Sequence, residues 1–262
     1  MLSYFLLLWL CLLSSAWLGC GPDSSSSASV EQRNTRSSPS VDTAFYFSLN
    51  ELLGKFDPAV HPDFARIPAP YATRPDLYLR RKAVEALVRM AKAAQAEGIN
   101  LRVLSATRSF SHQKDIWERK WYERANSMPD LVLRARSILE YSAMPGTSRH
   151  HWGTDVDLNS LRHEDFEAGG PHEKVYKWLC QHAHQFGFCQ TYTPLGQNRA
   201  FGYREEKWHW SYLPLASPML EQYVAHVTDS LLTGFAGAQT ATSLKIIQHY
   251  VLGIDVNCRR RE

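Results

Sequence analysis

The chain has 262 residues, a formal net charge of +3, 44% hydrophobic residues and five cysteines. That length supports one domain with a substantial core, and the mild charge, with no basic stripe interleaved with aromatics, argues against a nucleic-acid partner. The sequence has no internal repeat, no phosphate-binding glycine loop and no CxxC spacing, so no cysteine is needed to hold a metal.

In chain order, residues Met1 to Cys20 carry no charged side chain and are dominated by Leu, Phe and Trp. An apolar stretch this short, ending in Leu18-Gly19-Cys20, predicts a secretory signal rather than a membrane span. Residues 21–45 are serine-rich and predict a disordered tether, because such sequence buries too little apolar surface to offset the entropy of ordering. Gly19-Cys20 followed by serines also resembles a bacterial lipoprotein signal, which implies cleavage at Cys20, acylation there and a membrane anchor. Trp17 departs from the leucine usual in such signals and no Lys or Arg precedes it, so simple secretion and a retained apolar anchor stay open. The expected location is the periplasm or cell envelope.

From Leu79 to Glu97 the positions Val84, Leu87, Val88, Ala91 and Ala94 recur at helical spacing, and Gly98 follows as a stop. Leu101 to Ala106 predicts a strand that delivers Arg108 into a loop, with Ser111 as candidate cap of a helix through Trp121. A further helix is expected over Glu173 to Phe186, and strands near Phe188 to Tyr192 and Trp208 to Tyr212. Pro218 to Thr233 and Thr242 to Leu252 predict two amphipathic helices joined by Gly234-Phe-Ala-Gly237, packed as a helical hairpin. The ending Arg259-Arg-Arg-Glu262 reads as a solvated terminus.

Two clusters carry the chemistry: Ser148-Arg-His150-His-Trp-Gly153-Thr-Asp155-Val-Asp157 and Glu206-Lys-Trp-His209-Trp. They offer two imidazoles, a carboxylate ligand and a spare glutamate, the minimum set for a hydrolytic zinc site with one position open to water. Gly153 lets the backbone turn or approach closely between the candidate ligands. The alternation Asp155-Val156-Asp157-Leu158 predicts a short strand with both carboxylates on one face.

The segments SRHHWGTDVD, EEKWHW and the earlier SATRSF resemble the signature blocks of VanY-type D-alanyl-D-alanine carboxypeptidases, members of the LAS zinc peptidases. The blocks stand in the family's order between Phe64 and Tyr212. The resemblance implies an α+β fold of the LAS/hedgehog type, a small antiparallel sheet flanked by helices, over residues 46–215, with a C-terminal helical extension over residues 216–262. It implies one zinc ion held by His150, Asp157 and His209, with Glu206 as general base. Arg108 would meet the substrate carboxylate or the developing oxyanion, and Gln113 and Ser148 would line the pocket. The implied substrate is the peptidoglycan stem peptide; a monomer is expected, although the sequence does not fix the oligomeric state.

Three neighbours of these residues leave alternatives. Asp155 stands where the family pattern more often has a small residue, so it either supports the metal site from behind or competes with Asp157. His151 adjoins His150, with a packed or exposed imidazole as the simpler reading, and Glu205 adjoins Glu206. Tyr203 either lines the cleft or packs in the core. An L,D-carboxypeptidase, a cross-link endopeptidase and a non-catalytic zinc module remain as other functions. Outside the signal, Cys180, Cys189 and Cys258 could pair in an oxidising compartment, with Cys180–Cys189 as a helix-to-strand bridge and Cys258 as an alternative partner.

Overall fold

Side chains alternate across a strand, so the sequence Asp155-Val-Asp-Leu158 builds a sheet with one apolar and one acidic face. In the computed structural model, which describes residues 46–259, this stretch is the strand β4 of a four-stranded antiparallel sheet. The signal segment, the tether and Cys20 lie outside the described residues. The sheet runs in the order β3 (Val103–Ser105), β4 (Asp155–Leu158), β6 (His209–Tyr212), β5 (Phe188–Gln190). A separate antiparallel pair joins β1 (Phe64–Arg66) to β2 (Tyr78–Arg80).

On the apolar face, Val156 and Leu158 of β4 and Trp210 and Tyr212 of β6 pack with helices α2 (Arg81–Ala96) and α5 (Glu173–His182). Helix α2 forms for the reason its sequence gives: Ala83, Val84, Leu87, Met90, Ala91 and Ala94 recur every three or four residues and are all buried. Leu87 is fully buried, and truncating such a leucine to alanine costs about 2–5 kcal/mol. Gly98, just past the helix, has φ +75°, a conformation glycine takes without strain.

A second core lies around Trp117 and Trp121 of α3 (Phe110–Glu123), the short helix α4 (Leu131–Ile138), Trp152, and α6 (Leu213–His226). The cap of α3 is Ser109, whose hydroxyl accepts from the His112 N–H, rather than the expected Ser111. Ser111 instead shares a hydrogen bond with Ser109 through their hydroxyls. At the start of the described chain, Ser48 and Glu51 form a reciprocal capping box on α1 (Leu49–Leu52).

The C-terminal segment differs from two clean amphipathic helices. α6 starts at Leu213, five residues before Pro218, with Pro214 in its first turn where the missing N–H costs nothing. After it come 3-10 turns, a four-residue α7 (Ala241–Leu244) and a π-helical turn from Ile247 to Val251. The break between the last two is Lys245, left-handed at φ 50°. Tyr223 of α6 is buried and donates its hydroxyl to the Gly146 carbonyl at 2.8 Å, which ties this segment to the loop before His150.

The disulfide joins Cys189 to Cys258, with Cα atoms 5.8 Å apart, while Cys180 is a free, exposed thiol on α5. The predicted Cys180–Cys189 bridge does not form. The C-terminal residues fold back along the chain after β5 instead, where the Asp255 and Val256 N–H groups donate to the Thr191 and Asn198 carbonyls. No helix among the described residues is long and apolar enough to cross a membrane.

Candidate metal centre

The acidic face of the sheet carries four polar side chains in two registered pairs. Asp157 lies opposite His209 and Asp155 opposite Ser211 on adjacent antiparallel strands, and all four residues are buried. His150 arrives from the 3-10 turn Arg149–Trp152, which Gly153 ends at φ +71°. A Cβ on Gly153 would stand 2.3 Å from the Phe64 ring, so both the left-handed turn and the close approach require glycine.

These elements bring His150, Asp157 and His209 together, with one ligand atom from each inside a 4.8 Å span. Two donors bound to one tetrahedral divalent ion at about 2.0–2.2 Å stand roughly 3.3–3.6 Å apart. His150 Nε2 lies 3.3 Å from Asp157 Oδ2, and His209 Nδ1 lies 3.1 Å from Asp157 Oδ1. His150 Nε2 is buried and makes no hydrogen bond among the described residues, although the Asp157 carboxylate is beside it. Two atoms so close without hydrogen-bond alignment are directed at a common point, as ligands are. The residues therefore fit a divalent ion bound by two nitrogens and an oxygen.

The hydrogen bonds behind each imidazole select which nitrogen faces that point. The Ala106 carbonyl accepts a hydrogen bond from His150 Nδ1–H at 2.7 Å, leaving Nε2 free. Asp155 Oδ1 lies 3.0 Å from His209 Nε2, leaving Nδ1 toward Asp157. Asp155 is thus turned away from the ligand cluster and braces His209; it does not compete with Asp157.

Glu206 is the next group outward. Its Oε2 stands 3.6 Å from His209 Nδ1, outside the ligand triad but beside it. The backbone brings it there: the His209 N–H donates to the Glu206 carbonyl, and the Glu206 N–H donates to the Tyr192 carbonyl at 2.9 Å. Glu205 points elsewhere, to His163 on the rim at 3.5 Å. The Tyr192 ring packs 4.7 Å from that of His209 and 5.0 Å from that of Tyr203, forming an aromatic wall. Tyr203 is itself buried, between Tyr192 and Tyr250.

Electrostatics separates the two carboxylates. Burial pushes the Glu206 carboxyl up to about 7, and the Asp157 charge adds to the rise while His209 and Arg108 oppose it. For Asp157 burial also opposes ionisation, but the adjoining His150 and His209 imidazoles hold its carboxyl far below the ordinary range. For His209 burial disfavours the charge, yet the hydrogen bonds it donates to the Asp155 and Asp157 carboxylates lift it to about 9. Burial and the Arg108 charge hold His150 below its usual value. The same buried face therefore lowers one carboxyl and raises the other.

The three residues expected to line the pocket have distinct surroundings. Arg108 follows β3 in the loop; its N–H donates to the His150 carbonyl at 3.1 Å, and its charge is felt at both His150 and Glu206. Its Nε is buried with no hydrogen-bond partner among the described residues. Gln113 is fully buried on α3, its amide nitrogen bonded to the Ala143 carbonyl and its Oε1 left unpaired. Ser148 is buried directly before the His150 turn.

His151 has a defined place of its own. Its Nδ1 donates to the Arg108 carbonyl at 2.7 Å and its Nε2 accepts from the Gly146 N–H at 3.0 Å. Burial lowers it to about 3, so it stays neutral and clamps the Arg108 loop. Sequence reasoning missed this clamp, along with the buried Arg149 and Ser211 around Asp155. The one signal for the latter was Asp155 itself, a charged residue on a face otherwise assigned to the metal. A second grouping, Glu51, His61 and Asp63, already shares Arg80, 2.8 Å from Glu51 and 3.4 Å from Asp63.

Residues 76–215 match the family model VanY, described as D-alanyl-D-alanine carboxypeptidase. The chain belongs to the VanY family. The match covers both ligand clusters and Arg108. Among curated relatives, the chain is 32% identical over 125 residues to a D-alanyl-D-alanine carboxypeptidase of Enterococcus faecalis, covering 46% of this chain and 43% of that one. A Bacillus subtilis relative is 31% identical over 139 residues and is covered over 46% of its length, so the chain spans under half of either protein. Among solved structures, VanYB in complex with D-alanine-D-alanine is 25% identical with a TM-score of 0.46, covering 62% of this chain and 94% of that one. A VanY mutant from a VanB-type resistance cassette in complex with Zn(II) is 25% identical with a TM-score of 0.45, over 62% and 89% of the two chains.

Proposed function

We propose that this VanY-family chain is a zinc-dependent D-alanyl-D-alanine carboxypeptidase that hydrolyses the terminal D-alanine from peptidoglycan stem peptides. The observation that carries the proposal is the pairing of a three-ligand cluster with an unligated, buried glutamate at 3.6 Å from one of its ligands. A structural zinc site would be closed by a fourth protein ligand; an open position beside a carboxylate serves hydrolysis. Mixed nitrogen and oxygen donors favour zinc.

His150 Nε2, His209 Nδ1 and an Asp157 oxygen would hold the ion. Bound zinc polarises the scissile carbonyl and makes water acidic enough to ionise near neutral pH. Glu206 takes a proton from the attacking water and returns one to the leaving amine, work suited to a carboxyl raised to about 7. Arg108 offers a rigid donor fork to the free carboxylate at the substrate's end, with the unpaired Nε as one donor. That carboxylate contact favours a carboxypeptidase over an endopeptidase. Gln113 Oε1 supplies a buried acceptor for a substrate N–H.

Incubating purified pentapeptide and tetrapeptide stems with the enzyme, with and without chelator, tests the reaction by mass spectrometry. Loss of one alanine from the pentapeptide alone, abolished by chelator, is expected. Cleavage of the tetrapeptide instead would assign an L,D-carboxypeptidase.

We also propose that the enzyme acts outside the cytoplasm, in the periplasm or cell envelope, anchored through a lipid on Cys20 and working as a monomer. The apolar, uncharged first twenty residues support export, and the Cys189–Cys258 disulfide suits an oxidising compartment. Labelling with a fatty-acid probe, lost in Cys20→Ser, tests the anchor.

A further inference from the structure

Asp155 is completely buried, and a buried carboxylate is costly unless each of its acceptor sites finds a donor. Four donors converge on it. Oδ1 accepts from His209 Nε2 at 3.0 Å and from Arg149 Nε at 3.1 Å. Oδ2 accepts from the Thr154 hydroxyl at 2.5 Å and the Ser211 hydroxyl at 3.1 Å. Arg149 also donates from Nη2 to Ser211 Oγ at 2.7 Å, and its guanidinium lies 4.6 Å from the centre of the Trp152 ring. The group is electrically self-contained, because Arg149 offsets the Asp155 charge and neither side chain reaches solvent.

The geometry of the sheet gives this cluster one outlet. Asp155 sits one pleat along β4 from Asp157, and Ser211 one pleat along β6 from His209. The His209 ring spans the gap, with Nε2 on Asp155 and Nδ1 on Asp157. Both carboxylates can only accept, so when a metal displaces the proton on the nitrogen facing Asp157, the nitrogen facing Asp155 keeps its own and Nδ1 presents its lone pair.

We propose that Asp155 is a positioning residue for the metal centre: it fixes His209 as the Nε2–H tautomer and aims Nδ1 at the ion, while Arg149 and Ser211 hold Asp155 in place. The proposal rests on the assignment of His150, Asp157 and His209 as metal ligands. A carboxylate behind a ligating imidazole both orients the ring and makes it a better donor, and loss of such a partner weakens metal affinity by about 10–100-fold. Arg149 allows Asp155 to remain ionised in a site without water, and its position next to His150 in the chain links the supports of the two imidazoles.

The test is zinc affinity, measured by competition with a chromophoric chelator, on the wild type, Asp155→Asn and Ser211→Ala, with melting temperature recorded for each. Asp155→Asn keeps the shape but removes the obligate acceptor, and a 10–100-fold weaker zinc affinity is expected. Ser211→Ala removes one support without leaving a charge unpaired and should weaken affinity several-fold while melting close to wild type. A spectroscopic measurement is independent of variant folding. In 15N-histidine wild-type protein loaded with 113Cd, metal coupling should appear at His209 Nδ1, with a slowly exchanging proton on Nε2. Coupling at His209 Nε2, or unchanged zinc affinity in a folded Asp155→Asn variant, would overturn the role of Asp155. If the wild type itself bound no zinc, the fault would lie with the ligand assignment underneath.

Discussion

Asp157 and His209 face each other as a registered pair on β4 and β6, with His209 Nδ1 3.1 Å from Asp157 Oδ1. Two candidate ligands more than fifty residues apart are thereby fixed by backbone hydrogen bonds rather than by flexible loops. The third candidate, His150, is held by the Ala106 carbonyl just after β3, so three neighbouring parts of one sheet bring the cluster together. Removing either imidazole leaves two ligands. His150→Ala and His209→Ala should each lose zinc on dialysis, seen by atomic absorption, while wild type retains about one ion per chain.

Glu206 is outside the ligand triad, which makes its effects separable from metal loss. Glu206→Gln is expected to retain zinc and to lose stem-peptide hydrolysis by about 10²–10⁴-fold, the usual contribution of a general base. Turnover within a few-fold of wild type, at full zinc occupancy, would remove its assigned role.

Arg108 is expected to act on the substrate's end rather than on the metal. Arg108→Ala should keep its zinc and lose activity on peptides with a free carboxyl terminus. Wild type should discriminate strongly against the same peptide amidated at that terminus, and the variant should have lost most of that preference. Comparing kcat/KM for the two substrates in both proteins gives the answer directly.

Cys189 and Cys258 close a loop with a sequence separation of 69 residues, which pins the C-terminal strap beside Tyr192. Removing both by Cys→Ser substitution is expected to cost about 2–5 kcal/mol in urea unfolding. Before reduction, thiol titration of residues 46–259 should find one reactive cysteine, Cys180. Finding three would show that the bridge is absent.

Glu51 pairs with Arg80 at 2.8 Å on the far side of Trp152, whose carbonyl accepts from Arg80 Nε. Burial works against the Glu51 charge, but hydrogen bonds from Arg80 and Ser48 leave its carboxyl below the ordinary value. A depressed carboxyl contributes stability above its unfolded pKa and loses it as pH falls through the lowered folded one. Glu51→Gln should therefore destabilise by about 1 kcal/mol at pH 7, as expected for a half-buried hydrogen-bonded ion pair. The gap from wild type should shrink as unfolding is repeated toward acid pH.

Much of the site is written in residue types and spacing. The zinc-type donor set, the glutamate three residues before His209, the glycine at the turn and the helix over α2 follow from local chemistry and short periodicities, which act within a few residues and survive in any one-dimensional reading. The choices between neighbours do not. Asp155 and Asp157 share a face by the same alternation, so only the pairing of β4 with β6 decides which one stands opposite His209 and which braces it from behind. Likewise Glu205 and Glu206 are separated by the turn that bonds the Glu206 N–H to Tyr192, and Cys189 finds Cys258 rather than Cys180 because the chain end folds back past β5. The sequence by itself determined the chemistry that could be assembled. Strand register and tertiary packing decided which atoms meet, because they depend on contacts between segments distant in the chain that no local pattern encodes.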